Sequence, residues 1–137
     1  MNKLIVAYDG SAQSEKAFNQ ALEIASKFSA SVVVLSVALP PEPPVAVEMQ
    51  AVIERAVGYY EAQFDHLRES AKSLGIEARF QVRAGHPAEQ IVLMAKEEKA
   101  DAIVIGHRGE SFLQRWLLGS VAKRVLSYAH CTVIVVR

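Results

Sequence analysis

Ala102-Ile103-Val104-Ile105-Gly106-His107-Arg108-Gly109, resumed after nine residues by Gly119-Ser120-Val121-Ala122, decides how this chain folds. The run 102–105 is short, apolar and rich in β-branched residues, the pattern of a buried strand. Val121, Ala122, Val125 and Leu126 follow Ser120 at helical spacing. Strand, glycine-punctuated loop and helix start therefore come in that order. A helix N-terminus carries unpaired N–H groups and a partial positive charge of about half a unit. Gly109 and Gly119 let the backbone approach whatever sits there, so two glycine turns and the Ser120 hydroxyl can face one polyanion. The competing reading is that the glycines only make turns and Ser120 only caps the helix. Local charge favours the anion: residues 106–124 hold Arg108, Arg115, Lys123 and Arg124 against Glu110 alone, in a chain of zero formal charge.

Working outward, the same alternation recurs. Leu4 to Tyr8 reads as a first strand, Asp9-Gly10-Ser11 as a turn, and Ser11 as the cap of a helix whose face is Ala17, Phe18, Ala21, Leu22, Ile24, Ala25 and Phe28. Ser31 to Val37 is a second strand, apolar without alternation and so covered on both faces. Pro40-Pro41-Glu42-Pro43-Pro44 then excludes regular structure. From about Val45 a helical stripe runs through Met49, Val52, Ile53, Val57, Tyr60, Phe64, Leu67, Ala71 and Leu74 to a stop at Gly75, and its spacing marks it as core. Ile76 to Arg83 alternates strictly, which places a third strand at a sheet edge. Pro87 opens a helix with Ile91, Val92, Met94 and Ala95 buried, and Cys131 to Val136 is a final apolar strand.

Five strand–helix alternations predict an α/β fold: an open parallel sheet with helices on both faces and right-handed crossovers. Ligands of such sheets bind beyond the carboxyl ends of the strands, where strand order reverses. Asp9 follows strand one and Gly106 follows strand four, so both line one crevice if those strands are neighbours. Asp9 alone is as much a turn former as a ligand.

With 137 residues, 51% of them hydrophobic, the chain is expected to form a single domain over 1–137. Fifteen acids balance fifteen bases, which argues against nucleic acid as a partner. No window approaches the roughly 20 apolar residues of a membrane span, and the amino terminus turns polar too early for a secretory signal. The lone Cys131 excludes an internal disulfide, fits a reducing compartment and reads as an inert core thiol, so the expected location is the cytoplasm. Neither GxxxxGK[ST] nor GxGxxG after a strand occurs, which excludes a P-loop ATPase and an ordinary dinucleotide site.

Assembled, these residues resemble the universal stress proteins, in the branch that binds ATP through G-x2-G-x9-G-[ST]. The likeness spans nearly the whole chain and includes Ile5-Val6-Ala7-Tyr8-Asp9-Gly10-Ser11, Gly85-His86-Pro87-Ala88, Asp101 to Gly106 and Val133 to Arg137. It implies a Rossmann-like sheet of order 3-2-1-4-5, a homodimer, and ATP, ADP or AMP in the crevice. By motif position, Ala7, Asp9 and Val37 flank the adenosine, Gly106 with Ile105 beside it neighbours the ribose, and Arg108, Gly109, Gly119, Ser120 and Val121 surround the phosphates. Mg²⁺ or Mn²⁺ often accompanies the nucleotide in this family, although no carboxylate cluster here makes an all-protein metal site. Departures from the common pattern are His107, Glu110, which is unfriendly to phosphate, and His130 and Thr132 where prolines are usual. His107 is expected in solvent rather than in catalysis, since no nucleophile or orienting carboxylate stands beside it.

Independently of the family, an edge as apolar as Thr132 to Val136 invites uncontrolled pairing unless covered, by a two-fold mate or by the chain's own helices and loops. Phe112, Leu113, Trp116, Leu117 and Leu118 likewise demand burial, a dimer contact or a protein partner. The leading functional expectation is a regulatory protein in which bound ATP orders the 107–118 loop. A slow ATP hydrolase or phosphotransferase is the alternative, without an evident base. A nucleotide-free interaction module is the third reading, to which Glu110 points.

Overall fold

β-Branched runs build the sheet, and their neighbours in it follow from how many faces each run can bury. The computed structural model describes residues 1–40, 46–108 and 119–137. The strands are β1 (Lys3–Ala7), β2 (Ser31–Ala38), β3 (Ala78–Ala84), β4 (Ala102–Gly106) and β5 (Thr132–Val136). All pair in parallel, in the order β3-β2-β1-β4-β5. The helices described are α1 (Ala12–Phe28), α2 (Ala46–Ser73), α3 (Pro87–Glu97) and α4 (Ser120–Tyr128). This is the open α/β, Rossmann-like sheet expected.

β1 is central, and Leu4, Ile5 and Val6 are wholly buried. Their period of two divides the core. Leu4 and Val6 face one layer with Phe18, Ala21 and Phe64 of α1 and α2, whereas Ile5 faces the other with Ile91, Met94 and Val125 of α3 and α4. β3 is outermost, as its alternation requires: Arg79 is exposed while Phe80 packs toward Phe64. β5 is the opposite edge, pairs only with β4 among the described residues, and keeps Val133 to Val136 half-buried.

Local chemistry sets the helix ends. Ser11 caps α1, its hydroxyl accepting the Ser14 amide at 3.1 Å. At the C-termini of α1, α2 and α3, the amides of Ala30, Ile76 and Ala100 donate to the carbonyls of Ala25, Ala71 and Ala95, closing a Schellman turn each time. The residue in the left-handed region is Gly75 for α2, but Ser29 (φ 56°) and Lys99 (φ 53°) for the other two. This capping also corrects a boundary: β3 begins at Ala78 rather than Ile76, because the Ile76 amide is spent on the end of α2.

α2 has 28 residues and so is about 42 Å long, whereas the strands have five to eight. Only its second half reaches the core: Phe64, Leu67 and Ala71 are buried, while Met49, Val52 and Ile53 are half-buried. Val57 and Leu74 of the expected stripe are exposed, as is Phe28 at the end of α1. Cys131 is half-buried rather than a core residue, packing against the α3–α4 layer, and burial pushes its thiol pKa up.

Candidate functional site

β1 is flanked by β2 and β4, so the chain runs outward in both directions from it and strand order reverses between β1 and β4. A crevice of about 520 Å³ opens there, beyond the carboxyl ends of β1, β2 and β4. That volume suits a small-molecule ligand. Ala7 and Asp9 after β1, Val37 on β2, Ile105, Gly106 and Arg108 after β4, and Gly119, Ser120 and Val121 at the start of α4 all line it. Nine of the ten residues singled out in the sequence thus meet in one place. The tenth, Gly109, lies outside the described residues, as do Glu110 and the apolar cluster 112–118.

The N-termini of α1, α3 and α4 all reach the crevice, through Ser11, Pro87 and Ser120, but differ in how far they are already satisfied. At α1, Asp9 Oδ1 accepts the Ser11 amide at 2.9 Å and Ser11 Oγ accepts that of Ser14. Asp9 is therefore a turn former that also faces the crevice. At α4 the capping position belongs to Gly119, which has no side chain to offer, and Ser120 is the first helical residue and exposed. Ser120 does not cap the helix, and among the described residues no side chain caps the first-turn amides of α4, the kind of group an anion can answer.

Arg108 stands beside that helix start. Its Nη1 is buried and has no hydrogen-bond partner among the described residues. A buried, charged donor without a partner costs more than about 1 kcal/mol, which an anion in the crevice would relieve. His107 contributes through its backbone: its amide donates to the Val136 carbonyl at 2.6 Å and its carbonyl accepts the Gly119 amide at 2.8 Å. It is half-buried rather than in solvent.

Other lining residues were not singled out in the sequence. Tyr8, Ser14, Leu39, Tyr60 and Ile91 also border the crevice. The Tyr8 hydroxyl donates to Glu15 Oε1 at 2.6 Å, and His66 Nε2 lies 2.8 Å from the same oxygen. Burial, then Glu15, raises the Tyr8 pKa strongly, so the phenol stays protonated. Tyr60 and Leu39 gave no sign, since one sits in a stripe with core spacing and the other follows a strand. Among the described residues no group of three or more His, Cys, Asp or Glu side chains is placed to hold a metal ion. A cation accompanying a ligand would depend chiefly on the ligand's own oxygens.

A family model described as the universal stress protein family matches residues 1–137. A universal stress protein of Methanocaldococcus jannaschii is 34% identical, the match covering 98% of this chain and 81% of that one. The protein YxiE of Bacillus subtilis, also described as a universal stress protein, is 32% identical over 99% of both. Among solved structures, UspA of Lactobacillus plantarum superposes with a TM-score of 0.85 at 24% identity, covering 99% of this chain and 97% of that one. A universal stress protein in complex with cAMP (TM-score 0.70, 24% identity, 99% and 97% covered) and one from Archaeoglobus fulgidus in complex with dAMP (0.64, 24%, 100% and 98%) share the fold.

Proposed function

This chain belongs to the universal stress protein family, and from that premise we propose that it binds an adenine nucleotide, ATP, ADP or AMP, in the β1–β4 crevice. The observation that carries the reading is Arg108 Nη1, a buried donor that has no partner among the described residues, beside a start of α4 that no described side chain caps. One anion placed there answers both. The cAMP and dAMP complexes of two neighbours in fold support the ligand class. Arg108, Ser120, Val121 and the adjoining Gly109 and Gly119 would hold the phosphates, with Gly106 and Ile105 near the sugar and Ala7, Asp9 and Val37 toward the base. Mg²⁺ or Mn²⁺ would arrive with the phosphates.

The function that fits is regulatory. A homodimer joined through β5 would cover that strand's half-exposed edge, and the nucleotide would set the 107–118 loop for a protein partner to read. A single cysteine and no membrane-length apolar helix among the described residues accord with a cytoplasmic setting. Hydrolysis finds less support, because Asp9 is the one acid of the described crevice lining and is engaged in a turn.

The test is direct. Purified protein is denatured and the supernatant assayed for adenine nucleotide, and ATP, ADP and AMP are titrated with and without Mg²⁺ by calorimetry. Saturable binding of at least one is expected. Failure of all three to bind overturns the reading.

A further inference from the structure

We propose that Tyr60 and Leu39 form the wall on which the nucleotide's base lies, which makes Tyr60 of α2 a base-contacting residue; this rests on the nucleotide reading above. The phosphate end is fixed by Arg108 and the start of α4, both beyond β4. β4, β1 and β2 are consecutive in the sheet, so two inter-strand steps, about 10 Å, separate that end from the end of β2. A nucleotide stretched from its phosphate to its base has that reach. At the β2 end the lining residues are Val37, Leu39 and Tyr60.

These residues close that end from both layers of the molecule. Val37 packs with the α3–α4 layer and Tyr60 with the α1–α2 layer. The Tyr60 ring is held before any ligand arrives: it stacks on Phe64 at 6.3 Å and 22°, and meets Tyr59 edge-on at 5.1 Å and 73°. A ring so fixed loses little freedom when a base is laid on it. Leu39 and Tyr59 beside it are 58% and 48% exposed, an apolar rim that a planar base would cover. Aromatic contact with the flat face of a base makes the base itself a requirement for tight binding, so a sugar phosphate lacking one is a poor ligand.

The experiment compares AMP with ribose 5-phosphate, which carries the same phosphate and sugar but no base. Calorimetric titrations are run on wild type, Tyr60→Ala, Tyr60→Phe and Leu39→Ala. The two alanine variants are expected to bind AMP about tenfold more weakly and ribose 5-phosphate as wild type does. Tyr60→Phe should recover most of the affinity lost in Tyr60→Ala. Leu39, being exposed, can be truncated without loss of folding, which melting in the absence of ligand verifies and which keeps the test informative if Tyr60→Ala unfolds. AMP affinity unchanged in the folded variants, or an equal loss for both ligands, overturns the base wall while leaving the nucleotide site standing. Absence of any adenine nucleotide binding by wild type overturns both.

Discussion

Gly106 lies against the backbone of Gln13: a Cβ on Gly106 would stand 2.9 Å from Gln13 Cβ and 3.1 Å from its carbonyl carbon and oxygen. β4 can thus approach the first turn of α1 only because residue 106 has no side chain. Gly106→Ala is therefore expected to destabilise the protein by about 1–3 kcal/mol through overpacking, with no nucleotide present. Urea denaturation measures this, and an unchanged midpoint would show that α1 yields at no cost. Gly119 is similar, its missing Cβ falling 3.1 Å from Arg108 Cα.

Arg108→Met removes the donor that is unpartnered among the described residues while keeping much of the side chain's bulk. Nucleotide affinity should fall about 10- to 100-fold, the worth of a charge-assisted hydrogen bond. Melting without ligand should not fall, because the lost group has no partner among the described residues. A variant destabilised without ligand and unaltered in binding would reassign Arg108 to the fold.

Ser29 and Lys99 hold left-handed conformations that cost a side chain energy and glycine almost none. Ser29→Gly and Lys99→Gly should each stabilise by roughly 0.5–1 kcal/mol, net of the entropy glycine adds to the unfolded chain. Thermal melts of the two variants check this. A lower melting point in both would mean that the side chains make contacts outweighing their strain.

Asp101 ties the start of β4 to the start of β1, its Oδ2 accepting the amides of Asn2 at 2.7 Å and Lys3 at 2.9 Å. Those bonds hold its pKa below the usual carboxylate value. The stability they contribute is therefore complete above the unfolded pKa and lost as pH falls through the folded one. Glu98 has the same sign: burial opposes its charge, but Arg79 and Lys3 outweigh burial. Between about pH 5 and pH 2 wild type should lose more stability than Asp101→Asn. Parallel loss in both would rule out this carboxylate as a source of acid sensitivity.

The Val136 carbonyl accepts the His107 amide, so the polar backbone of Val136 points inward and that of Val135 points to the edge of β5 that no described strand pairs with. Val135→Pro removes an outward donor and spares the ladder to β4. If β5 joins two copies, sedimentation should show a folded monomer or an aggregate in place of a dimer. An undisturbed dimer would move the contact elsewhere.

Much of this was legible in the chain. The Ser11 cap, the edge position of β3 and the meeting of Asp9 with Gly106 follow from period, cap chemistry and the rule for switch points, all of which act over short stretches. What was not legible depends on how far elements overshoot one another. Tyr60 has core spacing and does pack on Phe64, yet it also borders the crevice, because α2 outruns the strands. The same limit applies to the motif glycines: packing against Gln13 already calls for Gly106, and the close approach of Arg108 favours Gly119, so their presence does not separate a binding site from a vestige. Arg108 Nη1, buried and without a hydrogen-bond partner among the described residues, is the feature that favours a site over a vestige, and it is a property of three dimensions.

The two borders of the sheet are unlike. β5 is apolar, whereas β3 carries Arg79 and Arg83, paired with Glu98 and Glu97 of the α3 end. Laying β5 of one molecule along β3 of the next would repeat without closure and grow a filament, whereas β5 against β5 closes on itself after one step. If copies of this chain do associate, the ion-paired border at β3 makes a poorer mate for the apolar β5 than a second β5 does, which would favour a finite particle.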